Sequence, residues 1–396
     1  MLNIPELALT GSHDWALPPS KSHMIRWLAL TAQGRSECLL RFEGEAGADV
    51  ESMARCLDAM GVRVHRGADG WLVEPPADGL QAPMNFLDCG NSGTTARVLT
   101  AMAATMGVAV RLDGDESLRS RSSDLARVLR DLGVEVSSDA LPTTVSGVIN
   151  GSASVDLSGS SQPLSALILS SPRLSEAVEI HLEGEGVSRG YTGMTFDVAR
   201  RCGCPIEMSS PLILEPWTVQ APEEADIPPE LSLFPMAILL EILHDGLQLR
   251  TSLPAYDPLM LMAIDSLDRA NGSEVSLRDA SDLVTPAAAW LALTGGGTIS
   301  GIAHARGKES NRIVRTIELL AAFGIKADET EDGLIIPGEQ NLSSPTAPIE
   351  THLDHRLAMT AMILASKVGA DIVGADICEV THPGFIEQLL ALGTKQ

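Results

Sequence analysis

The sequence predicts an α/β protein of two similar domains. Three observations predict it: a length of 396 residues, a helix-ending segment closed by glycine that recurs six times, and a change to two-residue alternation after that glycine. The length exceeds what one ordinary core holds and suits two domains of roughly 150 to 200 residues. The recurring segments close on Gly61, Gly133, Gly203, Gly272, Gly324 and Gly393, at intervals of about 70 residues with one of about 50. Residues such as 57–61 and 129–133 read as the last turns of a helix, and the glycine can take the left-handed conformation that ends it. After the glycine, Val62-Arg63-Val64, Val134-Glu135-Val136 and Ile325-Lys326-Ala327 alternate as half-buried strands do. Ala68-Asp69-Gly70 before Trp71-Leu72-Val73, and Glu331-Asp332-Gly333 before Leu334-Ile335-Ile336, mark hairpins. Further helices lie upstream in each unit, as at 49–60, where Asp49 is placed to cap the first turn.

Composition excludes several classes of function. A formal net charge of −24 repels phosphodiester backbones over most of the surface, so nucleic acid is not an expected partner. The best apolar run, 236–243, is interrupted by Glu241 and falls short of the ~18 residues that a bilayer span requires. Residues 1–10 carry Glu6 and no Lys or Arg ahead of an apolar run, so they do not read as a secretory signal, and a cytoplasmic location is expected. Six cysteines are scattered, and the one close pair, Cys202 and Cys204, matches no common zinc or redox spacing. His352 and His355 lack the companion segment of a metalloprotease and read as ordinary polar histidines. No metal site is expected.

An anionic ligand on so acidic a chain needs a local basic pocket. The chain has five lysines, Lys21, Lys308, Lys326, Lys367 and Lys395, and the first two fall inside motifs. Pro18-Pro19-Ser20-Lys21-Ser22 stiffens the approach to a helix whose N-terminal N–H groups, with Lys21 and Arg26, suit a phosphate or carboxylate. Cys89-Gly90-Asn91-Ser92-Gly93-Thr94 runs from a glycine turn into a helix expected at 95–106, and glycine there lets the backbone approach a ligand. Arg119 and Arg121 flank a turn, and each can fork onto a phosphate or carboxylate. Ser160-Ser161-Gln162 offers hydroxyls and an amide before an apolar helix. The C-terminal half adds Asp282, then Lys308-Glu309-Ser310-Asn311-Arg312, then Asp354-His355-Arg356.

In this order the motifs resemble those of the 3-phosphoshikimate 1-carboxyvinyltransferase family, also called 5-enolpyruvylshikimate-3-phosphate (EPSP) synthase, from Ser20 to near the C-terminus. The likeness rests on Pro-Ser-Lys-Ser with Arg26, Gly-Asn-Ser-Gly-Thr with Arg97, Arg119-x-Arg121, Ser160-Ser161-Gln162, Ser188-x-x-Tyr191, Lys308-Glu309-x-x-Arg312 and Asp354-His355-Arg356. It implies two domains of three βαβαββ units each, closing over the substrates, with the chain crossing between them twice. The expected division is 20–225 as one domain and 1–19 plus 226–396 as the other.

The resemblance implies transfer of the enolpyruvyl group of phosphoenolpyruvate to the 5-hydroxyl of shikimate 3-phosphate, with release of phosphate and with neither metal nor organic cofactor. Lys21, Asp282 and Glu309 are the implied catalytic residues: Asp282 the base, Glu309 the proton donor, and Lys21 between the attacking oxygen and phosphoenolpyruvate. Shikimate 3-phosphate would be bound by Lys21, Ser22, Arg26, Ser160, Ser161, Gln162, Ser188, Tyr191, Asp282 and Lys308. Phosphoenolpyruvate would be bound by Lys21, Gly93, Arg121, Gln162, Glu309, Arg312 and Arg356. The bare Gly93 implies sensitivity to glyphosate, and a monomer is expected. This chain departs from the family pattern at Met24, Ser122 and His304, and Val380-Thr381-His382-Pro383 lacks a lysine that part of the family uses. Two alternatives stay open at this point: the sister enolpyruvyl transferase acting on UDP-N-acetylglucosamine, and a non-catalytic relative that binds a phosphorylated acid.

Overall fold

The computed structural model describes residues 1–121, 123–253 and 256–394. Ser122 and Lys395 lie outside the described residues. The chain forms two compact units, Pro19–Pro228 and Met1–Pro18 with Pro229–Gln396.

In the unit Pro19–Pro228, residues 87–146 run strand, helix, strand, two short helices, strand, strand. The sheet order is Leu87–Asp88, Val110–Asp113, Thr143–Ser146, Glu135–Val136, with the first pair parallel and the others antiparallel. A second four-stranded sheet repeats that pattern with Cys38–Arg41, Gly70–Glu74 and Arg63–Gly67. Its opening strand, however, comes from the far end of the unit: Glu224–Asp226 pairs in parallel with Glu224 opposite Leu39. A third sheet holds Ser152–Asp156, Val178–Glu183 and Leu212–Leu214.

The other unit repeats the four-stranded pattern in Glu274–Ser276, Gly297–Ser300, Leu334–Ile336 and Asp328–Glu329. Residues 1–18 then complete two smaller sheets. Leu2–Ile4 lies antiparallel to Ala370–Val373, and Gly11–Asp14 lies parallel to Leu247–Arg250. Both hairpin glycines serve one purpose. A Cβ on Gly70 would collide with the carbonyl oxygen of Leu40, and a Cβ on Gly333 with that of Ile299, so the turn closes tightly on the neighbouring strand only without a side chain.

Each unit is built around three inner helices that pack on one another: Lys21–Thr31, Gly93–Ala103 and Gln162–Ser170 in the first, Phe234–Leu243, Val284–Leu293 and His355–Val368 in the second. They are apolar on nearly every face, as a helix surrounded by protein must be. Met24, Ile25, Trp27 and Leu28 have no exposed surface, and each such side chain contributes about 1.5–3 kcal/mol by leaving water. Outer helices such as Arg312–Ala322 are amphipathic and cover the inner set. Each unit has its own apolar core. Among the described residues no helix is long and apolar enough to cross a membrane.

Local expectations hold with four corrections. Gly61, Gly133, Gly203, Gly272 and Gly324 have φ between +79° and +93° and end their helices. Gly393 instead stays inside the helix Phe385–Thr394, where a Cβ would lie 3.1 Å from the Leu7 side chain. The helix expected at 95–106 is Gly93–Ala103, because the Ser92 side chain accepts from the Thr95 N–H and starts it earlier. Gly47, not Asp49, caps the helix Ala48–Asp58, since the Asp49 carboxylate is engaged by Lys21. Residues 325–327 form no strand; the strand is Asp328–Glu329. The Ile325 N–H still bonds back to Leu320, and both backbone groups of Lys326 pair with the Gln340 side-chain amide.

Candidate functional site

Most residues singled out in the sequence stand at or beside the N-termini of the six inner helices, where unpaired N–H groups and the helix dipole favour anions. In the unit Pro19–Pro228, Ser20 occupies the N-cap position of Lys21–Thr31 without a side-chain cap bond. Lys21 donates to Asp49 at 2.9 Å, and both side chains are largely buried. Arg26 is buried, and its partners are a hydroxyl and two carbonyls: Nε donates to Thr195 Oγ1 at 2.8 Å, Nη1 to the Ser22 carbonyl at 2.8 Å, and Nη2 to the Tyr191 carbonyl at 3.1 Å. Its guanidinium also stacks over the Tyr191 ring at 5.9 Å. Burial without a carboxylate partner lowers the pKa of Arg26 to about 10. His23, beside it, is pushed down to about 3 by burial, with Arg26 and Arg201 adding to the effect.

The second inner helix carries Gly93. A Cβ there would lie 2.5 Å from Arg97 Nη1 and 3.6 Å from Arg121 Nη1, so the bare backbone leaves room for two adjacent guanidinium groups. Arg121 is aimed by its neighbours: Nη2 donates to the Asn91 carbonyl, Asn91 Oδ1 and Ser117 Oγ at 2.9–3.1 Å. Arg119, two residues earlier, is instead paired bidentately with Asp113 at 2.8 and 2.9 Å, and that pairing holds the Asp113 carboxyl below its ordinary range. At the third helix, the Gln162 N–H donates to Ser160 Oγ and Nε2 reaches Thr94 Oγ1 at 3.4 Å, which joins the second and third N-termini. Ser161 is buried. Ser188 is buried with φ 52°, a left-handed conformation that costs a non-glycine residue on the order of 1–3 kcal/mol and concentrates at functional sites.

In the other unit one guanidinium organises the cluster. Arg312 is fully buried. Its Nη1 donates to Asp282 Oδ1 at 2.8 Å, its Nε and Nη2 to both oxygens of Asp354 at 3.0 and 3.2 Å, and Nη2 also to Glu309 Oε2. Burial pulls its pKa down, and the charges of Asp354, Glu309 and Asp282 outweigh this and raise it. Lys308 Nζ stands 4.0 Å from Asp282. Asp354 caps the helix His355–Val368 by accepting from the Arg356 N–H at 2.9 Å. Arg356 Nη1 and Nη2 donate to the carbonyl and Oγ of Ser232 at 2.8 and 2.7 Å, and Ser232 Oγ donates to Glu230 at 2.6 Å.

The structure thus brings Lys21, Ser22 and Arg26 together, then Gly93, Arg121 and Gln162, and separately Asp282, Lys308, Glu309, Arg312 and Arg356. Sequence reasoning missed the residues that hold these in place: Asp49, Asn91, Thr195, Ser232 and the full role of Asp354. A buried carboxylate at a helix start, readable as a cap, was the one available signal for Asp49. The departures from the family pattern also find positions. Met24 is fully buried in the core. Burial, with Lys308 adding, pushes His304 down to about 4. His382 is buried edge-to-face against Phe385 at 5.4 Å.

A family profile described as EPSP synthase (3-phosphoshikimate 1-carboxyvinyltransferase) matches residues 12–233 and 260–389. A 3-phosphoshikimate 1-carboxyvinyltransferase of Methanothermobacter thermautotrophicus is 32% identical, covering 96% of this chain and 95% of that one. The protein of the same name from Methanocorpusculum labreanum is also 32% identical, covering 95% of each. Among solved structures, an EPSP synthase from Acinetobacter baumannii superposes with a TM-score of 0.74 at 20% identity, covering 99% of this chain and 97% of that one. The enolpyruvyl transferase NikO from Streptomyces tendae superposes with a TM-score of 0.73 at 16% identity, again covering 99% and 97%. At these identities the two structures establish the enolpyruvyl transferase fold.

Proposed function

The chain belongs to the EPSP synthase (3-phosphoshikimate 1-carboxyvinyltransferase) family, and from that premise we propose that it moves the enolpyruvyl group of phosphoenolpyruvate onto the 5-hydroxyl of shikimate 3-phosphate. The observation that carries the proposal is the cluster on Arg312, where two carboxylates suited to opposite proton transfers, Asp282 and Glu309, are held by one buried guanidinium. A protein that only bound a phosphorylated acid would have no use for that pair.

In the proposed reaction Glu309 gives a proton to the methylene carbon of phosphoenolpyruvate, and the 5-hydroxyl oxygen bonds to the adjacent carbon while Asp282 accepts the hydroxyl proton. Glu309, left as a carboxylate, then takes a proton back from the new methyl group, which expels phosphate and restores the double bond. General acid and base catalysis of this kind contributes about 10²–10⁴-fold to a rate. Lys21 would stabilise charge at the attacking oxygen. Ser22, Arg26, Ser160, Ser161, Gln162, Ser188, Tyr191 and Lys308 would hold shikimate 3-phosphate; Gly93, Arg121, Gln162, Arg312 and Arg356 would hold phosphoenolpyruvate. Every guanidinium nitrogen of Arg312 already serves a carboxylate, so the substrate carboxylate would take over from one of these partners.

The sister family acting on UDP-N-acetylglucosamine tends to carry a reactive cysteine on a loop, and Cys89 does not suit that role. Its contact with Cys56 and its burial raise the thiol well above its ordinary pKa, whereas a reactive cysteine needs the thiolate. The test is phosphate release from shikimate 3-phosphate and phosphoenolpyruvate. Turnover is expected, and Arg356→Ala should raise KM for phosphoenolpyruvate by at least tenfold. Tight shikimate 3-phosphate binding without turnover would instead identify a sensor.

A further inference from the structure

We propose that His352 and Leu353 are positioning residues, whose strained turn sets Asp354 and, through it, Arg312 and Arg356 for the substrate carboxylate. Residues 351–354 form a tight turn between the strand Ile349–Glu350 and the helix His355–Val368, closed by the Asp354 N–H, which donates to the Thr351 carbonyl at 3.0 Å. Both central residues are left-handed, His352 at φ 50° and Leu353 at φ 56°, as in a type I′ turn. Such a turn favours Asn-Gly and similar pairs, because other side chains crowd the backbone in that conformation. Among the described residues this is the one pair of consecutive non-glycine residues at positive φ.

The two side chains return little for that strain. Leu353 is 45% exposed, so much of its apolar surface stays in water. His352 Nε2 stands 3.8 Å from Glu318 with both side chains partly exposed, and such a pair contributes little. What holds the turn lies at its two ends. Upstream, Ile349 and Glu350 pair in parallel with Ile372 and Val373, and the buried Thr351 donates its hydroxyl to the Gly374 carbonyl at 3.1 Å. Downstream, the buried Asp354 carboxylate has both oxygens committed: Oδ1 accepts from the Arg356 N–H and Arg312 Nη2, Oδ2 from Arg312 Nε and Ser310 Oγ. A carboxylate so engaged tolerates little displacement, and the turn fixes where its backbone starts. Left-handed strain persists where its surroundings over-determine it and collects at functional sites. The use made of Asp354 rests on the function proposed above, whereas the strained turn does not.

The experiment replaces Leu353 in the full-length protein by Asn, which tolerates the left-handed conformation, and by Val, which does not. Leu353→Asn should raise the urea midpoint and leave kcat and both KM values within twofold. Leu353→Val should lower the midpoint and raise KM for phosphoenolpyruvate at least fivefold, with KM for shikimate 3-phosphate within twofold. A turn that served folding alone would lower the midpoint without that split. An Asn variant no more stable than the unmodified protein, a folded Val variant with unchanged KM for phosphoenolpyruvate, or equal rises in both KM values would each overturn the proposal. Urea unfolding of Leu353→Val and Asp354→Asn, singly and together, reads the link to Asp354. The midpoint loss caused by valine should shrink by at least half beside Asp354→Asn, and an undiminished loss would overturn the proposal. If Leu353→Val does not fold, His352→Thr, a β-branched residue at the other central position, takes its place in each comparison. If the unmodified protein shows no turnover with shikimate 3-phosphate and phosphoenolpyruvate, the functional reading fails, and the unfolding cycle still decides whether the turn acts on Asp354.

Discussion

Arg26 and Arg312 are both buried guanidinium groups, one in each unit, yet their surroundings are opposite. Arg26 is held by a hydroxyl and two carbonyls, and Arg312 by three carboxylates. A buried cation bound only to neutral dipoles lacks a countercharge that an anionic ligand can supply. A buried cation among three carboxylates is already over-neutralised, so it holds those carboxylates in place until a substrate carboxylate displaces one of them. The difference supports the proposed division of labour, with phosphate recognition at the first cluster and proton transfer at the second.

The comparison breaks most decisively at Arg312. Arg312→Met leaves Asp282, Glu309 and Asp354 facing one another without their cation, and breaking such a buried network is expected to cost about 3–5 kcal/mol. Arg26→Met removes a charge with no ionic partner and leaves its acceptors unpaired, so it should cost less, about 1–3 kcal/mol, while raising KM for shikimate 3-phosphate. Urea unfolding of the two variants side by side decides the matter, and equal losses would erase the distinction.

Next in size is Glu309→Gln. It keeps a hydrogen-bond acceptor for Arg312 but has no proton to give, so kcat should fall by about 10²–10⁴ with KM for shikimate 3-phosphate little changed. A drop in affinity with kcat intact would move Glu309 from chemistry to binding.

His23 sharpens the comparison through pH. Folded, it stays neutral down to about pH 3, whereas in the unfolded chain it takes up a proton near pH 6.5. The unfolded state therefore binds the proton first, and stability falls as pH drops from 6.5 towards 3. At pH 5 this amounts to roughly 2 kcal/mol at most. His23→Gln should flatten that part of the stability profile, and an unchanged acid limb would show that burial, with Arg26 and Arg201 beside it, does not suppress protonation there.

The smallest expected effect is at Gly93. A methyl group at that position meets Arg97 Nη1 at 2.5 Å, the movable end of a side chain, so Gly93→Ala should leave stability within about 0.5 kcal/mol. It should raise KM for phosphoenolpyruvate about tenfold, or roughly 1.4 kcal/mol, and weaken inhibition by glyphosate. Unchanged KM would place phosphoenolpyruvate elsewhere.

Much of the architecture was legible in order along the chain. Five of the six glycines expected to end helices do so, because the left-handed conformation is a property of the residue and its immediate turn. Gly393 escaped because it lies inside a helix that packs beside Leu7, hundreds of residues away in sequence, and no local signal shows that packing. The 325–327 strand failed for a similar reason: alternation was present, but a glutamine side chain took the backbone groups that a strand would have used. The site was legible as residue types at helix starts. Asp49 was misread as a cap because a carboxylate at that position fits either role until Lys21 is brought beside it.

By itself, then, the sequence determined the repeated helix and hairpin units, the family, and which side chains are proposed for the chemistry, since each depends on local conformation or on residue identity. The tertiary structure alone decided that Glu224–Asp226 completes the sheet begun at Cys38, that residues 1–18 complete two sheets of the unit containing Pro229–Gln396, and that Arg312 gathers Asp282, Glu309 and Asp354. These pairings join segments tens to hundreds of residues apart. They are fixed by hydrogen-bond registry and by the cost of burying an unpaired charge, and neither is written in any one stretch of chain.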